Sequence, residues 1–114
     1  MFMSEQQTRK GIFKEIDLQG KSIEDWCKEY CLEHNMTNKF EDESWEEYLF
    51  DARWEEFFIV KDRLFQIIKN KEVDYRYYTQ IDKLEDNTYS FYSTYYDGGT
   101  CLTERLEDEL RNIL

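Results

Sequence analysis

The chain has 114 residues, of which 40% are hydrophobic and 18% aromatic, and its 26 acidic and 15 basic side chains give a net charge of −11. This composition excludes a disordered polypeptide, and the length fits a single domain spanning residues 1–114. The charge argues against binding of DNA or RNA through a basic patch, so we expect a basic protein as partner and no direct contact with nucleic acid.

The sequence contains no recognisable membrane anchor or export signal. No stretch approaches the roughly 18 apolar residues that a membrane helix needs, and residues 1–10 lack the apolar run of a signal peptide. Cys27, Cys31 and Cys101 are odd in number and spaced unlike a secreted disulfide framework. We therefore expect a cytoplasmic protein that does not contact a membrane.

The N-terminal half predicts one strand and two helices. Partial alternation of apolar residues over 11–18 predicts a short strand. Ser22 precedes apolar residues at helical spacing and predicts a first helix from about 23 to 34. Ser44 opens a capping box and predicts a second helix from 45 to about 55.

Two hairpins are predicted next. Residues 57–60 and 64–68 are rich in β-branched and aromatic side chains, and residues 61–63 can turn between them. Residues 74–80 and 88–96 are aromatic-rich and are separated by small polar residues that suit a tight turn. These segments predict four strands.

An apolar stripe at helical spacing predicts a C-terminal helix, and its members are Leu102, Leu106, Leu110 and Ile113. Helices that come before and after a run of hairpins in the sequence indicate an α+β fold. We expect an antiparallel sheet of about four strands packed against the two helices of the N-terminal half and the C-terminal helix.

The negative charge is concentrated in residues 22–56, which hold twelve acidic and three basic side chains, a net charge of −9. On the second predicted helix, steps of about 100° per residue place Phe50 and Trp54 within an arc of carboxylates. On such a surface the carboxylates would steer a partner protein and the two rings would anchor it. The alternative is that the helix is packed on two sides and both rings belong to the core. The candidate partner-binding residues here are Glu43, Glu46, Glu47, Phe50, Asp51, Trp54 and Glu55.

The C-terminal helix adds Glu104, Glu107 and Asp108 to the candidates, because they lie opposite the leucine stripe. Carboxylates one helical turn apart are about 5 to 6 Å from each other, a spacing comparable with that of phosphates along a nucleic-acid strand. Two such rows could imitate a phosphate backbone. The alternative is an ordinary solvated face.

Metal binding and catalysis are weakly indicated. Cys27, Cys31 and His34 share a face of the first helix, and Cys101 could complete a zinc site, but cysteines on an apolar face are typical of a core. His34 is the only histidine, and no nucleophile motif or acid/base pair is recognisable. We expect no metal, no cofactor and no enzymatic activity.

Residues 89–104 combine an aromatic strand, a glycine turn and an acidic leucine helix in the sequence YSFYSTYYDGGTCLTE. This segment resembles small proteins encoded by phages and mobile elements. In its overall character the chain is similar to phage counter-defence proteins, namely anti-restriction DNA mimics and anti-CRISPR inhibitors, which are often short and acidic.

The resemblance implies a stoichiometric inhibitor of a nucleic-acid-binding host defence enzyme, such as a nuclease or effector complex, whose basic channel the carboxylate rows would occupy. Three alternatives stay open. The chain could be an immunity protein or antitoxin that neutralises a basic toxin, a small zinc-binding or regulatory domain, or a structural component. The oligomeric state is not predicted.

Overall fold

The computed structural model describes residues 6–34, 56–73, 79–96 and 102–114. Within these ranges the fold is α+β, with a five-stranded antiparallel sheet and two helices. In chain order the elements are β1 (Gln6–Glu15), α1 (Ile23–Glu33), β2 (Phe57–Val60), β3 (Arg63–Val73), β4 (Gln80–Lys83), β5 (Thr88–Tyr96) and α2 (Leu102–Ile113).

The first strand of the chain lies at the centre of the sheet. The strand order is β2-β3-β1-β5-β4, so β1 pairs with both β3 and β5, and short β2 and β4 form the edges. Two tight turns join the hairpins, and Lys61, Asp62 and Asn87 adopt the positive φ angles that such turns require.

A β-bulge in β3 bends the sheet beside the middle of β1. Ile12 pairs with Lys69, whereas Phe13 pairs with Ile67, so Ile68 has no partner in the register. Gly11 lies next to this bulge, where the β3 backbone comes so close that a methyl group built on Gly11 would lie 1.8 Å from the carbonyl oxygen of Lys69. Position 11 therefore requires glycine because there is no room for a side chain, and not because the backbone turns there.

One face of the sheet, which we call the α2 face, carries the larger core. The leucines at 102, 106 and 110 are buried against aromatic and branched side chains of all five strands. Phe13 is fully buried at the centre of this cluster, and its ring stacks on that of Tyr89 with centroids 4.9 Å apart. The burial of this apolar surface accounts for the docking of α2.

The opposite face carries a smaller core under α1. Ser22 caps this helix, because its hydroxyl accepts a hydrogen bond from the Asp25 backbone N–H at 3.0 Å. Cys27 and Cys31 are fully buried with Phe57 and Leu64, and the rings of Trp26 and Tyr30 pack against Phe57.

Several predicted elements are confirmed. The first helix and its Ser22 cap, the hairpin around residues 61 and 62, and the C-terminal helix with its three buried leucines all agree with the sequence pattern. The predicted second helix, residues 45–55, lies outside the described residues.

Three predictions about the strands and one about the C-terminal helix need correction. The sheet has five strands instead of about four, because β1 joins the two hairpins as the central strand. β1 covers the ten residues Gln6–Glu15, whereas the sequence predicted a short strand over 11–18. All residues of its N-terminal half, 6–10, are polar, so this half gives no apolar pattern from which a strand is predicted. β3 extends over Arg63–Val73, longer than the predicted 64–68, and Arg63 belongs to the strand rather than to the turn.

The other two corrections concern the C-terminal half. The strand before β5 is Gln80–Lys83 and not 74–80, so the described part of the predicted segment contributes only its last residue. Ile113 differs from the three leucines of the predicted stripe, because 53% of its surface is exposed at the last residue of α2. Neither described helix is long and apolar enough to cross a membrane.

Candidate functional site

Most of the predicted binding residues belong to the chain outside the described ranges, and these are Glu43, Glu46, Glu47, Phe50, Asp51, Trp54 and Glu55. The other three lie on α2. Glu104 and Asp108 are exposed on the side away from the buried leucines, and Glu107 is half-buried.

The acidic face of α2 is partly neutralised by its own helix. The Arg111 guanidinium donates to the Asp108 carboxylate at 3.0 Å, an ion pair three residues apart in which both side chains are mostly exposed. Exposed pairs of this kind contribute at most about 0.5 kcal/mol to stability. The net negative charge of this face is therefore modest.

A second acidic row, which the sequence analysis did not single out, runs along α1. Asp25, Glu29 and Glu33 are four residues apart and all exposed, so they follow one ridge of the helix. Glu29 accepts a short hydrogen bond from the Lys21 ammonium group at 2.6 Å. A count of acids at i, i+4 and i+8 on the first predicted helix would have found this row.

The sheet separates the two acidic rows. α1 packs on Phe57 and Leu64, whereas α2 packs on Phe58 and Phe65, and these alternate residues of β2 and β3 project to opposite faces. A partner that binds one row from a single direction does not reach the other row. The two described rows therefore do not form one continuous surface.

The candidate zinc ligands are not brought together within the described residues. Cys27 and Cys31 are fully buried in the apolar cluster, while His34 is exposed and its Nδ1 lies 2.9 Å from the Tyr30 carbonyl oxygen. No group of three potential ligands that could hold a metal ion is found among the residues that the structure describes. Cys101 lies outside them.

Burial raises the pKa of the Cys27 thiol from 9.0 to about 11. A thiol that is protonated at neutral pH and shielded from solvent is a poor nucleophile and a poor zinc ligand. We expect iodoacetamide at pH 8 to leave Cys27 and Cys31 unmodified in the native protein and to alkylate both after denaturation. Peptide mass mapping measures this directly, and rapid native labelling of Cys27 would contradict its packing.

The same shift predicts a loss of stability in alkaline solution. The folded state holds the thiol proton more tightly than the unfolded state, so the stabilisation is complete below pH 9 and disappears as the pH rises from 9 to about 11. Relative to a Cys27→Ala variant, the native chain should lose on the order of 2 kcal/mol between these pH values. Urea unfolding at pH 8, 9.5 and 11 gives the free energy of unfolding of both proteins. The same change with pH in both proteins would contradict the prediction.

A cavity of about 360 Å³ opens on the α2 face, beside the end of α2. Its apolar walls include Ile81 and Leu110, and Arg63, Lys83 and Tyr89 supply its polar groups. Arg63 is already engaged by Glu15 through two hydrogen bonds of 3.0 and 2.8 Å, an interaction that raises the Arg63 pKa. Lys83 is thus the cation with the more available charge.

The described geometry offers charged surfaces and at least two cavities as sites of interaction, the second being an open one of about 460 Å³ beside residues 15–20 and Asn87. Comparison of the chain with models of protein families, with curated proteins and with solved structures gives no match.

Proposed function

We propose that the protein acts in the cytoplasm as a non-catalytic, stoichiometric inhibitor that binds the basic nucleic-acid channel of a host defence enzyme. The carboxylate row Asp25, Glu29 and Glu33 on α1 is the observation that carries this proposal. It supplies regularly spaced negative charge at the beginning of the segment that holds most of the net charge of the chain.

The charge distribution supports one main acidic contact. Residues 22–56 carry a net charge of −9, whereas α2 carries two arginines against four acids and lies on the other face of the sheet. We therefore place the contact on α1 and the acidic residues that follow it in the sequence, including Glu46, Glu47 and Asp51. The acidic face of α2 is assigned a secondary, steering role.

The test is protection of a targeted phage or plasmid in cells that carry a restriction or CRISPR system. The native chain should raise the efficiency of plating. A Glu46→Lys/Glu47→Lys/Asp51→Lys variant and an Asp25→Lys/Glu33→Lys variant should each weaken binding at least about tenfold, roughly 1.4 kcal/mol, and reduce protection accordingly.

A Glu104→Lys/Asp108→Lys variant is the matched control, because it reverses two exposed carboxylates on the opposite side of the sheet. Its protection should fall much less than that of the other two variants. If the native chain protected against no defence system, the proposed function would be wrong. If it protected and all three variants protected equally, the inhibitory role would stand but the acidic contact would be wrong.

A further inference from the structure

The cavity beside the end of α2 has the composition of a small-molecule site. Its volume of about 360 Å³ lies within the range of roughly 300 to 1,000 Å³ that is typical of ligand pockets. Its apolar walls come from Ile81 on β4 and from Leu110, Ile113 and Leu114 at the end of α2. Such pockets are mostly apolar and contain a few polar groups that orient the ligand. Those polar groups therefore indicate the chemistry of the ligand.

Tyr89 supplies the first of these polar groups. Its ring stacks on that of Phe13 and only 4% of the residue is exposed, yet its hydroxyl forms no hydrogen bond with any residue that the structure describes. A buried tyrosine hydroxyl usually has a hydrogen-bond partner. Because Tyr89 lines the cavity, an acceptor group bound there is the partner that would complete this side chain.

Lys83 supplies the second polar group, next to the first. It is the direct partner of Tyr89 in the β4–β5 register, so both side chains project to the α2 face and their Cβ atoms are about 5 Å apart. Lys83 is exposed and forms no ion pair with any residue in the described part of the chain. Its neighbour Asp82 projects to the opposite face and accepts a hydrogen bond from Gln80 at 2.8 Å. An ammonium group and a hydroxyl thus border the same cavity, and both can donate.

The other cations at this end of the sheet are already engaged. Arg63 lines the cavity but is held by Glu15 through two hydrogen bonds. The Lys61 ammonium donates to the main-chain oxygen of Leu114 at 2.8 Å, and so offsets the partial negative charge at the end of α2. Among the described residues that line the cavity, none is acidic. The charge of Lys83 therefore stays available to a ligand.

We propose that this cavity binds a small amphiphilic carboxylate, independently of the inhibitory role proposed above. The carboxylate accepts hydrogen bonds from the Lys83 ammonium and the Tyr89 hydroxyl, and the apolar part of the ligand lies between Ile81 and Leu110. Two donors and one available cation match the two oxygens and the single charge of a carboxylate. A phosphate monoester carries a charge of about −1.5 to −2 and requires more cations, whereas a neutral alcohol leaves Lys83 unpaired.

Ile113 lies at the opening of the cavity. It is the last residue of α2 and lines the cavity, but 53% of its surface is exposed, unlike that of the buried Leu110 one turn earlier. The opening is therefore bordered by apolar surface that a bound ligand would remove from water. Because this side chain projects largely into solvent, a larger residue at position 113 would cover the cavity without disturbing the core.

Titration of the isotope-labelled full chain with octanoate, followed by the NMR signals of the backbone amides, tests the proposal. The signals of Ile81, Lys83 and Tyr89 should shift, and octanol, which lacks the charge, should bind more weakly than octanoate. Lys83→Gln and Tyr89→Phe should each weaken octanoate binding about fivefold or more, because each removes one donor to a charged group. Lys83→Gln should leave the affinity for octanol unchanged.

Two tryptophan variants provide a matched pair. Ile113→Trp should cover the opening and abolish octanoate binding. Leu32→Trp is the control, because Leu32 is equally exposed, at 55%, but lies on α1 on the opposite face of the sheet, so the affinity should not change. Thermal unfolding confirms that each variant is folded.

Three outcomes would overturn the proposal. Absence of shifts in the native chain, or shifts that Ile113→Trp and Leu32→Trp weaken equally, would show that the cavity binds no such ligand. Equal affinity of the native chain for octanoate and octanol would show that the carboxylate is not recognised. If sedimentation showed self-association that only Ile113→Trp abolished, and octanoate did not compete, the cavity would be a contact between copies of this chain.

Discussion

Replacement of Gly11 by alanine should lower the free energy of unfolding by about 3 kcal/mol or more. The added methyl group would lie 1.8 Å from the Lys69 carbonyl oxygen, which belongs to the backbone and cannot rotate away. Relief requires separation of β1 from β3 at the bulge, and β1 is the central strand. Because domains of this size are stable by only about 5 to 15 kcal/mol, much of the stability would be lost.

Urea unfolding followed by tryptophan fluorescence measures this change. Gly20→Ala is the matched control, because Gly20 has a φ of +83° but nothing within 4 Å of an added methyl group. Its effect should be limited to about 1 to 2 kcal/mol of backbone strain. A Gly11→Ala variant as stable as Gly20→Ala would show that the two strands are further apart than described.

Truncation of Phe13 to alanine is expected to have the second large effect, about 3 to 5 kcal/mol. The Phe13 ring is fully buried, and its centroid lies 4.9 to 6.1 Å from those of four other rings, which belong to Phe58, Phe65, Tyr89 and Phe91. The substitution removes these contacts and leaves a cavity at the centre of the larger core, between the sheet and α2.

Phe13→Leu separates cavity formation from loss of aromatic contact. It retains most of the apolar volume and should lower the free energy of unfolding by roughly 1 to 2 kcal/mol. Differential scanning calorimetry of both variants gives the comparison. If Phe13→Ala lowered the stability by less than about 1 kcal/mol, the larger core would not depend on this ring.

The sequence predicts the local features of the fold well. The cap at Ser22, the leucine stripe of α2 and the hairpin around residues 61 and 62 each depend on neighbours a few positions away. Their periodicity and turn chemistry are therefore visible in one short window.

The central strand shows why other features are not predictable in this way. β1 has a single large apolar side chain on each face, Ile12 and Phe13, and Gly11 in its middle interrupts any strand pattern. The reason for Gly11 is the bulge opposite it, which lies more than fifty residues later in the chain. Such a pairing leaves no local trace in the sequence.

The pairing of two lysines on the sheet was missed for a related reason. Lys10 and Lys71 become neighbours only through the β1–β3 register, and the net charge of the whole chain hides a local group of cations. The α1 row could have been recognised from spacing alone, whereas its separation from the acidic face of α2 depends on which side of the sheet each helix covers. The candidate residues between 43 and 55 stay predictions.

The edges of the described sheet determine how a partner can approach it. β2 and β4 are only four residues long, so β1 is paired on both sides along most of its length, whereas β3 after Ile67 and β5 after Tyr92 have a described strand partner on one side only. The β4 edge carries the charged side chains of Asp82 and Lys83, which disfavour the addition of a peptide strand there. A partner is thus better recognised by side chains on the two faces than by strand addition at β4, and point substitutions on those faces should change its affinity more.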